Sequence, residues 1–192
     1  MTKRICNLKA KKAFTLVELI VVIAIIAILT AVIVPIVAHY SAQARYTTLQ
    51  DAASVISNSS NNAMSDGNQV SAINISEITG KKTGGVLEIT LGGATAQDDG
   101  AGSVTVTVAG GDGENRAAER LCTSLATTLP DECAFYVSVR QSAVEGVIYT
   151  AANSTIPSGT ESIIPVDGFE DAYAYNDGSG SPVGVSGKYI PS

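Results

Sequence analysis

From Leu19 to Ala38 the chain runs 20 residues without a charged side chain. As a helix rising 1.5 Å per residue, that stretch is long enough to cross the ~30 Å hydrocarbon core of a bilayer. No other feature constrains the fold as strongly, because a helix apolar on every side needs lipid or other protein around it. The flank before it is basic: Lys3, Arg4, Lys9, Lys11 and Lys12 precede Ala13, and no acid does. Positive charge of this kind stays on the cytoplasmic side, which places the C-terminal part outside. Without residues 1–13 the chain keeps seven basic and eighteen acidic side chains, a formal charge of −11. A field of that sign opposes binding of nucleic acid, so no nucleic-acid partner is expected.

Three readings of the segment are open. It is a plain signal anchor, or a secretory signal peptide cut at the Ala42-Gln43-Ala44 pattern, or something that accounts for Glu18. The apolar run exceeds the 7–15 residues of an ordinary signal core. Glu18 sits one residue ahead of it, and an acid at the centre of a membrane helix costs roughly 2.5–3.5 kcal/mol, less near the end. Such a group needs a partner. A cut between Ala13 and Phe14 creates an α-amino cation of the right sign, too close in sequence to pair well within its own helix. The amine of a neighbouring copy reaches it, and that pairing fixes the axial stagger between copies.

The stretch Lys11-Lys12-Ala13-Phe14-Thr15-Leu16-Val17-Glu18-Leu19 resembles the processing motif of type IV pilins and type II secretion pseudopilins. The resemblance covers about residues 9–46. It implies cleavage between Ala13 and Phe14 by a prepilin peptidase, N-methylation of Phe14, and subunit pairing through Glu18. It also implies a helix kink at Pro35 and a family tyrosine at Tyr40. The partners it implies are other pilin subunits, the peptidase, an inner-membrane assembly platform, and membrane lipid before assembly. The chain departs from the family at one point: Ala13 stands where glycine usually precedes the cut, which predicts slower processing.

Beyond Pro35, residues Ala42, Tyr46, Leu49, Ala53, Ile56 and Ala63 recur at spacings of three, four or seven, one face of a helical period. The helix is predicted to end at Asp66-Gly67. Strands are predicted at Val86–Leu91, Ser103–Val108, Ala134–Val139 and Gly146–Ala151, with a second helix at Glu114–Leu129. Residues 67–85 read as loop, Gly92–Gly102 as an exposed connection, and 153–192 as Gly/Ser/Pro-rich with no clear elements. The predicted fold is α+β, a ladle-like pilin architecture in which a long spine helix packs on an antiparallel sheet of about four strands. The predicted divisions are a leader at 1–13, a membrane and filament-core helix at 14–38, its amphipathic continuation at 39–66, and an extracytoplasmic head at 67–192.

Cys122 and Cys133 are predicted to form a disulfide in an exported head, the alternative being two reduced thiols. Asp167, Glu170, Asp171 and Asp177 are a weak candidate set for Ca²⁺, solvated surface acids being the plainer reading. No nucleophile elbow, phosphate loop or metal-spaced histidine set occurs, and His39 is the single histidine. No catalytic residue, metal or cofactor is therefore assigned. The function predicted is a structural filament subunit, membrane-bound before assembly and extracellular after it. The alternatives are a pseudopilin or a membrane-anchored surface adhesin that does not polymerise.

Overall fold

The computed structural model describes residues 14–151, 163–169, 172–175, 181–187 and 189. Helix α1 spans Leu16–Asn68, with Pro35 inside it. Proline removes one i→i−4 hydrogen bond, and the rest of the ladder carries the helix past it. Compact packing divides the chain after Ser41 into two units. The first is bare helix, with the apolar side chains of Leu16 to Val37 exposed.

The second unit is the head. Its part of α1 buries Leu49, Ala53, Ile56, Ser60, Ala63, Met64 and Gly67, the three- and four-residue spacing of a single apolar stripe. Nine strands follow among the described residues. They are β1 (Glu77–Thr83), β2 (Val86–Leu91), β3 (Ala94–Asp98), β4 (Val104–Val108), β5 (Cys133–Arg140), β6 (Ala143–Thr150), β7 (Ile163–Pro165), β8 (Tyr173–Tyr175) and β9 (Pro182–Gly187). Helix α2 (Asp112–Ala126) lies between β4 and β5 in the chain. Every pairing is antiparallel, in the order β4-β3-β2-β1-β5-β6-β9-β8-β7.

The α+β architecture is as the sequence predicts, but the sheet is larger. The supposed loop before Val86 contains β1, the supposed connection after Leu91 contains β3, and the C-terminal region contributes β7, β8 and β9. Strand β1 is centred on Gly80, which faces Phe135 of β5 in register. A Cβ at Gly80 would fall on the Phe135 ring, so the ring covers the glycine and restores the missing side-chain surface. The turn between β1 and β2 is Gly84-Gly85, both at positive φ (60° and 85°), as a two-residue hairpin of this hand requires.

The buried apolar residues form two clusters, the smaller being Ile148, Tyr173, Val183 and Val185, and the larger one is the main core. It joins the α1 stripe, the α2 face (Ala117, Ala118, Leu121, Leu125) and the inward residues of β1, β2, β5 and β6. Helices α1 and α2 meet at two glycines: a Cβ on Gly67 would strike Gly113 O, and the Gly113 N–H donates to Ser71 Oγ at 2.7 Å. Gly67 is thus buried at a close approach in the last turn of α1, which ends at Asn68, one residue past the predicted stop at Asp66-Gly67. At the start of α2 the Glu114 carboxylate reaches back to the Gly111 N–H (3.1 Å) and to Gly93 N–H (3.3 Å).

The expected Cys122–Cys133 bridge is not formed; both are free, buried thiols. The reason lies in the register. Cys133 on β5 faces Lys82 on β1, which faces Leu87 on β2. Cys122 Sγ donates to Leu87 O at 3.6 Å, so about two strand spacings of ~4.8 Å separate that site from Cys133. A disulfide needs Cβ atoms about 3.5–4.5 Å apart.

Candidate functional site: the N-terminal assembly segment

Phe14 is 82% exposed and stands just ahead of α1. Thr15 caps the helix. Its Oγ1 accepts from Glu18 N–H at 3.3 Å, while Glu18 Oε2 accepts from Thr15 N–H and Thr15 Oγ1, each at 2.8 Å. This reciprocal arrangement is a capping box, and it satisfies donors that the first helical turn leaves open. Thr15 is the functional residue that the sequence reading passed over, although the Thr-x-x-Glu signature is legible in Thr15-Leu16-Val17-Glu18. The carboxylate of Glu18 therefore has a local structural task. Its second oxygen, Oε1, has no partner among the described residues.

Behind Glu18 the helix is long and apolar enough to cross a membrane. Leu19, Ile20, Val21, Val22, Ile23, Ile25 and Ile26 are all about half exposed or more in the single chain. Thr30, the one hydroxyl within the Leu19–Ala38 run, turns its Oγ1 back onto Ile26 O at 2.9 Å and Ala27 O at 3.1 Å. It thereby spares the surrounding medium an unpaired donor. Tyr40, at the end of the run, is 70% exposed and stands edge-on to His39. The structure thus brings Phe14, Thr15 and Glu18 together at one helix end and places Pro35 inside the helix. Ala13 lies outside the described residues.

The other predicted site residues are in or beyond the head. Asp167 is exposed on the turn after β7, while Glu170, Asp171 and Asp177 lie outside the described residues. Among the described residues, no group of three or more His, Cys, Asp or Glu side chains is placed to hold a metal ion. Burial pushes the Cys122 thiol up to about 11, helped by the Asp98 carboxylate. Burial likewise pushes Cys133 up to about 11, against an opposing influence from Lys82.

Comparison with protein families finds one match, the prokaryotic N-terminal methylation motif, over residues 8–34. No curated protein and no solved structure matches the chain. The matched residues take in Lys9, Lys11 and Lys12 of the basic flank, Phe14, the Thr15–Glu18 cap and most of the exposed apolar run. This chain therefore carries, at residues 8–34, the hallmark of type IV pilin and pseudopilin precursors.

Proposed function

We propose that the chain is a structural subunit of a type IV pilus-like extracellular filament. It is cut between Ala13 and Phe14 by a prepilin peptidase, methylated on the new Phe14 terminus, and assembled through its apolar helix. In this reading residues 14–38 serve lipid first and the filament core afterwards, residues 39–66 link them to the head, and residues 67–192 form the extracytoplasmic surface. Glu18 receives the Phe14 amine of a neighbouring subunit. The observation that supports this most directly is the pairing of an exposed apolar helix with a single acid at its lip, one oxygen of which has no partner among the described residues. Pro35 is the place where the rod bends on assembly.

The test is the intact mass and N-terminal sequence of the membrane-extracted protein and of fibres sheared from cells. N-methyl-Phe14 in both fractions is expected. A chain that begins at Met1 in both would sink the proposal. Glu18→Ala is expected to insert in the membrane as before yet yield no fibres, and normal fibres from that variant would remove the pairing role. The pseudopilin reading shares the same motif and differs in where the polymer is found, in the envelope and not in the sheared fraction.

A further inference from the structure

The face of the sheet turned away from the main core is covered at one side and open at the other. One row of residues crosses it in register: Thr95, Thr90, Thr79, Tyr136 and Ile148, on β3, β2, β1, β5 and β6. Ile148 is buried in the smaller apolar cluster, with Tyr173, Val183 and Val185, whereas the three threonines stay partly exposed. Within the open part lies a cleft of about 260 Å³, lined by Asn74, Ile75, Ser76, Glu77, Thr79 and Thr90. Its backbone is pinned. Ile73 N–H donates to Asn68 Oδ1 at 2.9 Å, Ile73 O accepts from Ser142 Oγ at 3.2 Å, and Ser76 O accepts from Val139 N–H at 2.8 Å. Gly92 also lines the cleft and lies against Ile75, whose side chain a Cβ there would strike. Tyr136 Oη donates to Glu77 Oε2 at 3.3 Å. Glu77 Oε1, the Asn74 amide and the Ser76 and Thr79 hydroxyls have no partner among the described residues.

We propose that this cleft is a binding site for a neutral saccharide. The uncommitted groups are of the kind such a ligand needs. A carboxylate oxygen accepts from hydroxyls, an amide side chain donates and accepts at once, and serine and threonine hydroxyls do either. A ligand built of hydroxyls must find a partner for each one that leaves water, and a lining of mixed donors and acceptors supplies them. Tyr136, the register partner of Thr79, adds an apolar ring beside the polar strip, its tip fixed on Glu77. Charge narrows the class. The lining contains no Lys, Arg or His to hold a phosphate or carboxylate. The chain beyond residue 13 carries a formal charge of −11, which repels acidic sugars. Ile75 is the one wholly apolar side chain of the lining, too little for a lipid tail. The pinned backbone keeps the groups in place before the ligand arrives, which lowers the ordering cost of binding. The volume falls just under the ~300 Å³ at which pockets for drug-sized ligands begin, so one sugar ring held weakly is the expected fit. Many copies on one surface add avidity. The site stands whether or not the N-terminal helices polymerise.

The test uses the full chain in micelles of a zwitterionic detergent, chosen because it has no sugar headgroup. Saturation-transfer NMR is run against a panel of neutral oligosaccharides, of hexoses and N-acetylhexosamines, beside uronic acid oligosaccharides. At least one neutral member is expected to bind with a Kd in the millimolar range, and the acidic ones are expected to bind more weakly or not at all. Glu77→Ala is expected to weaken binding about tenfold or more, and Thr79→Val about threefold to tenfold, as loss of a charged and a neutral hydrogen bond implies. Thr105→Val, on β4 and outside the cleft, is the control and is expected to change nothing. Both cleft variants alter outward side chains, and the unfolding midpoint of each checks that the head is intact. The proposal is overturned if no neutral member binds at about 10 mM. It is equally overturned if the acidic members bind best, or if Glu77→Ala and Thr79→Val bind no differently from Thr105→Val.

Discussion

Lys82 is a long cation turned inward, and three groups hold it. Its Nζ donates to Ala126 O and Leu129 O, both at 2.8 Å, and lies 3.3 Å from Asp131 Oδ1. The last turn of α2 contains no basic residue of its own. A side chain from β1 therefore supplies the positive charge and donors that the open carbonyls at a helix C-terminus require. Lys82→Met keeps much of the apolar stem but leaves both carbonyls without their partner, and it is expected to cost about 2–3 kcal/mol in thermal or denaturant unfolding. Asp131→Asn is the contrast. That carboxylate is 64% exposed, so its loss is expected to cost less than about 1 kcal/mol. Equal effects from the two would mean that the ion pair, and not the helix cap, holds Lys82 in place.

At the scale of elements, the crossing of α1 and α2 sets two effects against each other. Inside a solvated helix, glycine to alanine stabilises by about 1 kcal/mol. At Gly67 the new methyl would meet Gly113 O, a backbone atom that moves only with its helix. Overpacking of that kind costs about 1–3 kcal/mol, so Gly67→Ala is expected to lower the melting temperature of the head. A rise would show that the crossing is looser than its geometry. The same element also shows what a sequence conceals. The apolar stripe from Leu49 to Ala63 is legible because its spacing is helical. Gly67 is legible as the helix end, since α1 stops one residue later, but its close approach to Gly113 is not, because the residue that ends helices is also the one that lets them touch. Strand β2 was legible from Val86, Leu87, Ile89 and Leu91, whereas β1 and β3 were not. Strand β1 has Gly80 where an apolar residue is expected, and β3 buries Ala94, Ala96 and Asp98 on that face, two small residues and an acid that give no apolar signal. The signal that does mark them is Gly84-Gly85 and Gly92-Gly93, two-residue turns on either side of β2. At the N-terminus, hydropathy locates a helix long and apolar enough to cross a membrane, but the Thr15–Glu18 hydrogen bonds emerge only once the helix start is placed.

For the whole molecule, the thiols supply a pH dependence. In the unfolded chain they ionise near 9, whereas in the fold they hold their protons to about 11. Between those values the unfolded state releases protons that the folded state keeps, so stability falls as pH rises. Tyr149, whose phenol burial also shifts upward, acts in the same direction. Across that window each thiol is expected to remove up to about 2–3 kcal/mol, read as a falling denaturant midpoint in detergent. Below it, reductant is expected to leave the midpoint unchanged, and a reductant-sensitive midpoint would show that the two sulfurs are joined after all. The bare apolar helix has a different consequence. Hydrocarbon tails are about as oily as leucine, so moving such a rod from a bilayer into a bundle of its own kind gains almost nothing from water. Its greasiness forbids escape into solution without favouring either home. In the proposed filament, the direction of travel would then be decided by the few polar contacts at the rod's tip and on the head, which would make growth of a fibre responsive to changes far too small to unfold the subunit.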